Sequence, residues 1–507
     1  MDNLIEAQLF INNKVWFSAK IWTGIDMVSQ LVPSSSNETF DLYAPYSGKL
    51  IAKVAEASVD DVDSAVAAAE TAFPAWSALS PIERGKPLKK LAEMVLARKD
   101  ELANLEALSM GKPVGDYFDA GYAGVQFNYF GEAAYAQGNT SLNTPGFLNM
   151  SLRQPFGVVA IIIPWNAPLV FFSKKVGPAI AAGNTVVLKS SEKAPLTSWK
   201  VSQWITECGF PPGVINILSG HGHISGSAMA SHMRIRALSF TGSTRTGRAI
   251  QIASAQSNLK KVVFELGGKG PALIFEDADL EEAAKGTEHS INGQSGQTCM
   301  ANSRVYVQES VKERFIEAFK KFASSRRIGD PTDPIVNHGP QADKVQYDTV
   351  LRYIAIGKET GNLLLGGGSN EPARNNYAGA KGNLTVHPVI FTDQPEDSRV
   401  VKEEIFGPVV VINVFKTEEE VIAKANDTEF GLYASLWTKD LERALRVSKK
   451  LESGMVGVNC ASPTGSWDLP FGGYKGSGTG RESLLESMEH YLEHKSIYFK
   501  VSGIGGI

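Results

Sequence analysis

GVVAIIIPW, residues 157–165, is followed by LVFFSKKVGPAIAAG at 169–183 and NTVVLKSS at 184–191. The first and third stretches are short, unbroken apolar runs rich in β-branched residues, without the alternation of a half-solvated sheet. The stretch between them suits a crossover helix. The pattern continues with a helix near TSWKVSQWITECG, the strands VINILSG and ALSFTGS, and a helix from about Thr246. Apolar strands separated by helices predict a parallel sheet covered on both faces, a doubly wound, Rossmann-type α/β unit. After KKVVFELGGKGPALIFEDADL the alternation restarts. SRVYVQ, GNLLLGG and VVVINVF read as strands and VKERFIEAFKKFASSRR as a helix, so a second α/β domain begins around residue 265.

Upstream, residues 60–108 carry apolar residues at helical spacing and are Ala-rich, predicting two or more amphipathic helices. Residues 137–156 and the tail EHKSIYFKV at 493–501 have strand-like composition and fit neither domain. They form either an arm that pairs with another subunit or an ordinary edge hairpin. The polar patch VPSSSNET at 32–39 reads as a surface loop, and the stretch 14–39 suggests no function.

The composition narrows the function classes. Of 507 residues, 43% are hydrophobic and 21% charged, with a formal net charge of −4. That is an ordinary globular balance without the concentrated basic surface that nucleic acid or an anionic membrane requires. The three cysteines, Cys208, Cys299 and Cys460, form no CxxC pair, and the eight histidines include no HExxH. No metal centre or disulfide framework is expected. His221 and His223 lie in a Gly-rich turn and read as a solvated loop. The start MDNLIEAQLF lacks a secretory h-region, VVAIIIPW is too short to span a bilayer, and SGIGGI matches no targeting signal. A reducing, cytoplasmic setting is the default expectation.

Several segments carry chemistry. INGQSGQTCMANSR, 291–304, sets Cys299 among small and polar residues, where a buried structural cysteine would have aliphatic ones. From this segment alone, inert and reactive thiols stand at even odds. FTGSTRTG, 240–247, ends a strand and opens a helix, as a phosphate-binding turn or a plain Ser/Thr N-cap would. In VLKSSE, 187–192, Lys189 and Glu192 suit ribose hydroxyls, or the segment caps a helix. FELGGKGP, 264–271, embeds Glu265 at the end of an apolar strand, where desolvation raises a carboxyl pKa toward that of a general base. PWNAP, 164–168, offers Asn166 as an oxyanion donor or as a turn residue between prolines.

Together PWNAP, FTGSTRTGR, ELGGKGP, GQTC, EEIFGP (403–408), NDTEFGLYAS (426–435) and PFGGYKGSGTGRE (470–482) resemble the aldehyde dehydrogenase superfamily in order and spacing, from about residue 40 to 500. The resemblance implies a Rossmann-type NAD-binding domain (1–136 and 157–264), a second α/β catalytic domain (265–482) and a small β oligomerisation arm (137–156 and 483–507). It implies that Cys299 is the nucleophile, that Asn166 and the Cys299 backbone N–H form the oxyanion hole, and that Glu265 activates the hydrolytic water. Lys189 and Glu192 resemble the adenosine-ribose contacts, and Gly242 and Ser243 the pyrophosphate turn. Glu404 and Phe406 resemble the residues that hold the nicotinamide ribose and ring. Ile163, Pro164 and Trp165, with Leu266 and Gly267, complete the implied cofactor lining. Lys175 and Glu482 resemble the Lys and Glu near the proton path.

The implied reaction is oxidation of a small-molecule aldehyde to the acid, by a homodimer or homotetramer. Glu265 points to the hydrolytic branch, and Glu192 favours NAD over NADP because a carboxylate repels a 2′-phosphate. No His neighbours Cys299, so backbone dipoles and bound nicotinamide are expected to lower its pKa. For the substrate, Ala167 stands where many relatives have Phe, and Lys174 where a Trp is common in some branches. Ala167 either admits a bulkier or aromatic aldehyde or leaves space that repacking closes. Trp467, in ASPTGSWDL (461–469), either contacts substrate or packs at the rim. An ester hydrolase would need no cofactor residues, a non-catalytic protein would have lost Cys299 or Glu265, and a ketoreductase would need a Tyr-x-x-x-Lys pair.

Overall fold

In the first apolar run, neighbouring residues face opposite layers. Val159, Ile161 and Ile163 join a core with Phe127, Phe130, Phe172 and Val176, while Val158, Ala160 and Ile162 pack with Val62, Ala65, Val66 and Ala69. A strand buried on both faces has no polar side to show, which is why the run is unbroken. The computed structural model describes residues 4–13, 33–135, 137–366, 383–462, 468–484 and 486–501.

The first sheet takes its strands in the spatial order Ile215–Ser219, Thr185–Ser190, Val158–Ile162, Ala237–Thr241 and Lys261–Glu265, all parallel. Gly478–Thr479 closes this edge, antiparallel to Phe264 and Glu265, so the chain returns here after building the second sheet. The strand order reverses between Val158–Ile162 and Ala237–Thr241, and the crevice for a ligand opens at their carboxyl ends. The helix after Ala237–Thr241 begins at Thr244, capped by Ser243, earlier than the expected Thr246.

Residues 59–110 fold into three helices, Val59–Ala78, Pro81–Ala97 and Lys99–Met110. The first two start with capping boxes, Ser58 with Asp61 and Ser80 with Glu83. The second helix meets Asp119–Glu132 so closely that a Cβ on Gly85 would lie 1.9 Å from the Gly131 carbonyl oxygen. Gly85→Ala is therefore expected to destabilise the protein by about 2 kcal/mol, the cost of overpacking less the helix propensity gained. A lowered midpoint in urea denaturation would show it.

The second sheet runs Asn362–Leu365, Val389–Thr392, Val409–Phe415, Arg304–Gln308, Pro271–Ile274, Tyr433–Trp437, Met455–Val458. It is parallel except at Asn362–Leu365. Residues 266–270 carry the chain from one sheet to the other. The two strand-like segments outside both sheets pair with each other, Phe147–Pro155 antiparallel to Leu492–Lys500, with Thr140–Ser141 on the far side. Leu492–Lys500 is an edge strand that exposes Tyr498 and Phe499.

Two loop expectations hold, each with an anchor: residues 33 and 35–39 are exposed and His221 is half exposed. Ser34, in the patch read as a surface loop, is buried and its hydroxyl donates to Asp61 Oδ2 at 2.9 Å, while residues 14–32 lie outside the described residues. His221 is half exposed but anchored, its Nδ1 2.5 Å from Glu56 Oε2. Among the described residues no helix is long and apolar enough to cross a membrane.

Candidate active site

Three chain segments distant in sequence meet between the sheets. Glu265 is the last residue of strand Lys261–Glu265, and Asn166 lies between strand Val158–Ile162 and helix Pro168–Ala181. Cys299 follows a kinked turn in which Gln294 (φ 49°), Ser295 (φ 56°) and Gly296 (φ 78°) are left-handed. At Gly296 a Cβ would come within 2.0 Å of the Gly407 carbonyl carbon, so only glycine fits. The two non-glycine residues each cost about 1–2 kcal/mol there. Specific bonds hold Ser295: its Oγ donates to Gly339 O at 2.8 Å, and Gln341 Nε2 donates to its carbonyl at 3.1 Å. The turn is thus fixed from the second domain.

The Cys299 thiol donates to Glu265 Oε1 at 3.3 Å, and Asn166 Nδ2 donates to the Gln297 carbonyl at 3.0 Å. That bond uses one of the two amide hydrogens of Asn166 and leaves the other for a ligand. Thr241 Oγ1 donates to the second Glu265 oxygen at 3.2 Å. Behind Glu265, Lys175 Nζ donates to Glu482 Oε1 at 2.5 Å and to Ser239 Oγ at 2.9 Å, all buried.

Burial sets the electrostatics. It pushes the Glu265 carboxyl above the usual range, Lys174 opposes the rise and Glu482 adds to it. Burial also acts upward on Glu482, but Lys175 and Lys174 hold it below its ordinary value. The Cys299 thiol is pushed well above its ordinary value by burial first, then by the Glu265 charge and hydrogen bond. Both act against the lowering expected from backbone dipoles and bound nicotinamide, and the carboxylate that raises the thiol is also the one placed to remove its proton.

Cys299, Asn166 and Ala167 border a cavity of about 110 Å³ whose walls include Phe118, Tyr122, Val170, Phe171, Leu469 and Phe471. Phe118 and Tyr122 come from the helical N-terminal region, where no motif signalled them. Trp467 lies outside the described residues.

The proposed cofactor residues line the switch-point side. Lys189 is next to last in its strand, buried, with Nζ donating to Ser190 O at 2.9 Å, and burial lowers its pKa. Glu192 is partly exposed beside it. The capping alternative for VLKSSE does not hold, since helix Leu196–Ile205 starts without a side-chain cap. Ser243 does cap: its Oγ accepts from Thr246 N at 3.3 Å, at the start of the helix Thr244–Gln256 that follows Gly242. The N-terminus of that helix supplies the dipole and N–H groups that suit a phosphate.

Glu404 Oε1 accepts from Gly268 N at 2.9 Å, and a Cβ on Gly267 would lie 2.2 Å from Glu404 Oε2. Burial raises the Glu404 carboxyl to about 7. Trp165 meets Phe406 edge to face at 5.3 Å, next to Ile163 and Pro164, and Leu266 follows Glu265 into the crossing. A buried ammonium near a strand end, a helix N-terminus at the switch point and a side-chain-free glycine cradle under the Glu404 carboxylate together fit a dinucleotide. Lys269, inside the quoted ELGGKGP motif but not singled out, is buried beside Glu404, with burial lowering its ammonium to about 7. Among the described residues no group of three or more His, Cys, Asp or Glu is placed to hold a metal.

Comparison with known proteins shows the family. The sequence model of the aldehyde dehydrogenase family matches residues 31–497. An aldehyde dehydrogenase of Alternaria alternata is 41% identical, covering 95% of this chain and 96% of its own. Retinal dehydrogenase 2 of Homo sapiens is 40% identical, covering 95% of this chain and 92% of its own. The structure of the P. syringae indole-3-acetaldehyde dehydrogenase AldA, a mutant in complex with NAD+ and IAA, superimposes with a TM-score of 0.91 at 37% identity, covering 99% of this chain and 98% of that one. With the family match spanning both sheets and every segment that meets at Cys299, the chain belongs to the aldehyde dehydrogenase family.

Proposed function

We propose that the protein oxidises an aldehyde to its carboxylic acid with NAD, Cys299 serving as nucleophile and Glu265 as base. The observation that carries this reading is the thiol–carboxylate hydrogen bond at 3.3 Å, on a cavity that Asn166 also lines. Glu265 takes the thiol proton, and the sulfur adds to the aldehyde carbon. The free N–H of Asn166 and the Cys299 backbone N–H stabilise the oxygen as it becomes negative. NAD, when bound, supplies the hydride acceptor that turns the adduct into a thioester. Lys189 and Glu192 would hold its adenosine ribose, Gly242 and Ser243 its pyrophosphate, and Glu404 and Phe406 its nicotinamide end. Glu265 then removes a proton from water, which attacks the thioester, and the acid leaves as the sulfur regains a proton. The Lys175–Glu482 pair lies on the route by which Glu265 exchanges protons with solvent.

Several finer assignments belong to the same reading. Glu192 disfavours NADP through its charge. Residues 1–136 with 157–264 bind the cofactor, 265–482 carry the catalytic thiol, and 137–156 with 483–507 form the arm. The long, exposed edge of Leu492–Lys500 supports a homodimer or homotetramer built through that arm, since an unpaired edge is a template for another chain. Three free cysteines suit a reducing cytoplasm.

NADH formation by the purified protein across short aliphatic, long aliphatic and aromatic aldehydes tests the reaction. In the same assay Asn166→Ala is expected to lower kcat by about 10²- to 10³-fold, the usual loss of one oxyanion donor. An unchanged kcat would remove Asn166 from the mechanism.

A further inference from the structure

Lys174 is not needed by the chemistry just described, yet it borders the same cavity as Cys299. It is 4% exposed, and its ammonium lies 3.2 Å from the centroid of the Phe471 ring, which is also part of the wall. Among the described residues its ion pair is with Glu482 Oε2 at 3.5 Å, and Glu482 is held more closely by Lys175, through Oε1 at 2.5 Å. The remaining walls mix aromatic and aliphatic side chains with the amides of Gln126, Asn166 and Gln294 and the Glu482 carboxylate.

The buried charges here are two ammoniums, Lys174 and Lys175, against two carboxylates, Glu265 and Glu482. Glu482 is held closely by Lys175, so Lys174, 3.5 Å from the same carboxylate and stacked on the Phe471 ring, is the ammonium left with the weaker counter-charge in a desolvated pocket. A substrate that brings its own anion balances it, and a charge-assisted hydrogen bond there is stronger than one in water.

Resting on the aldehyde-oxidation reading, we propose that Lys174 selects aldehydes carrying a carboxylate at the end remote from the reacting carbonyl. The carboxylate accepts from Lys174 Nζ while the aldehyde carbon meets Cys299 Sγ. Phe171 and Phe471 flank the methylene chain between them.

Two ratios test this. The first compares kcat/KM for 4-oxobutanoate and 5-oxopentanoate with that for the matching neutral amides, 4-oxobutanamide and 5-oxopentanamide. The carboxylate of at least one pair is expected to be favoured by about ten- to a hundredfold, mostly through KM. That preference is expected to collapse in Lys174→Met and to survive in Lys174→Arg. The second ratio needs neither turnover nor cofactor: the rate of Cys299 alkylation by iodoacetate relative to iodoacetamide, referenced to the same ratio for glutathione. It is expected to exceed the glutathione value and to fall in Lys174→Met.

If neither ratio differs between wild type and Lys174→Met, Lys174 only balances Glu265 and Glu482, and the proposal is overturned while aldehyde oxidation stands. If no aldehyde is turned over but the alkylation ratio depends on Lys174, the dehydrogenase reading falls and the anion subsite stands.

Discussion

Cys299→Ala is expected to lower NADH production from every aldehyde by about 10⁴- to 10⁶-fold, the scale on which loss of a covalent nucleophile acts. The carboxylate, the oxyanion donor and the cofactor residues all remain, so NAD titration monitored by quenching of protein fluorescence should be nearly unchanged. Trp165, edge to face with Phe406 at 5.3 Å, is placed to report that binding. Substantial turnover in the variant would overturn covalent catalysis, and loss of NAD binding along with activity would mean that the substitution disturbed the turn at 294–296 instead.

Glu265→Gln separates the two proton transfers assigned to one carboxylate. Deacylation should slow by about 10²- to 10⁴-fold, the usual contribution of a positioned base, and NADH should appear as a burst of one equivalent followed by near standstill. The burst itself should also slow, because the thiol is held well above its ordinary pKa and loses its nearest acceptor. The pH dependence has a definite sign. Glu265 is raised above an ordinary carboxylate and accepts a proton only when ionised, so wild-type turnover falls as pH drops through that raised value. Glutamine has no such ionisation, and the residual turnover of the variant should lose this acidic limb. A variant that keeps the limb would show that another group titrates there, with Glu404, raised to about 7, the first to examine.

The electrostatics of Cys299 mark how far the sequence reaches. Small and polar neighbours identified it as a thiol with room for a substrate, and the family resemblance supplied a role. Local context suggested backbone dipoles and bound nicotinamide as lowering influences, whereas within the folded protein burial acts upward first, and then Glu265, 34 residues upstream at the end of a strand of the first sheet. Neither is a property of the segment 291–304.

Asn166 and Gln297 make the same point across 131 residues, as do Lys175 and Glu482 across 307. The walls contributed by Phe118 and Tyr122 carried no motif and became part of the site only when their helical region packed against helix Pro168–Ala181.

What the chain determined alone was its elements, their α/β alternation and the ends of the strands on which the reactive residues lie. Apolar periodicity is a property of neighbouring residues, and burial of a strand on both faces leaves an unbroken run wherever it occurs. What only the tertiary structure decided was which of those ends meet, which proton acceptor the thiol faces and that a lysine stands in the aldehyde cavity. Desolvation and charge pairing act through space, over distances that packing sets and sequence separation does not.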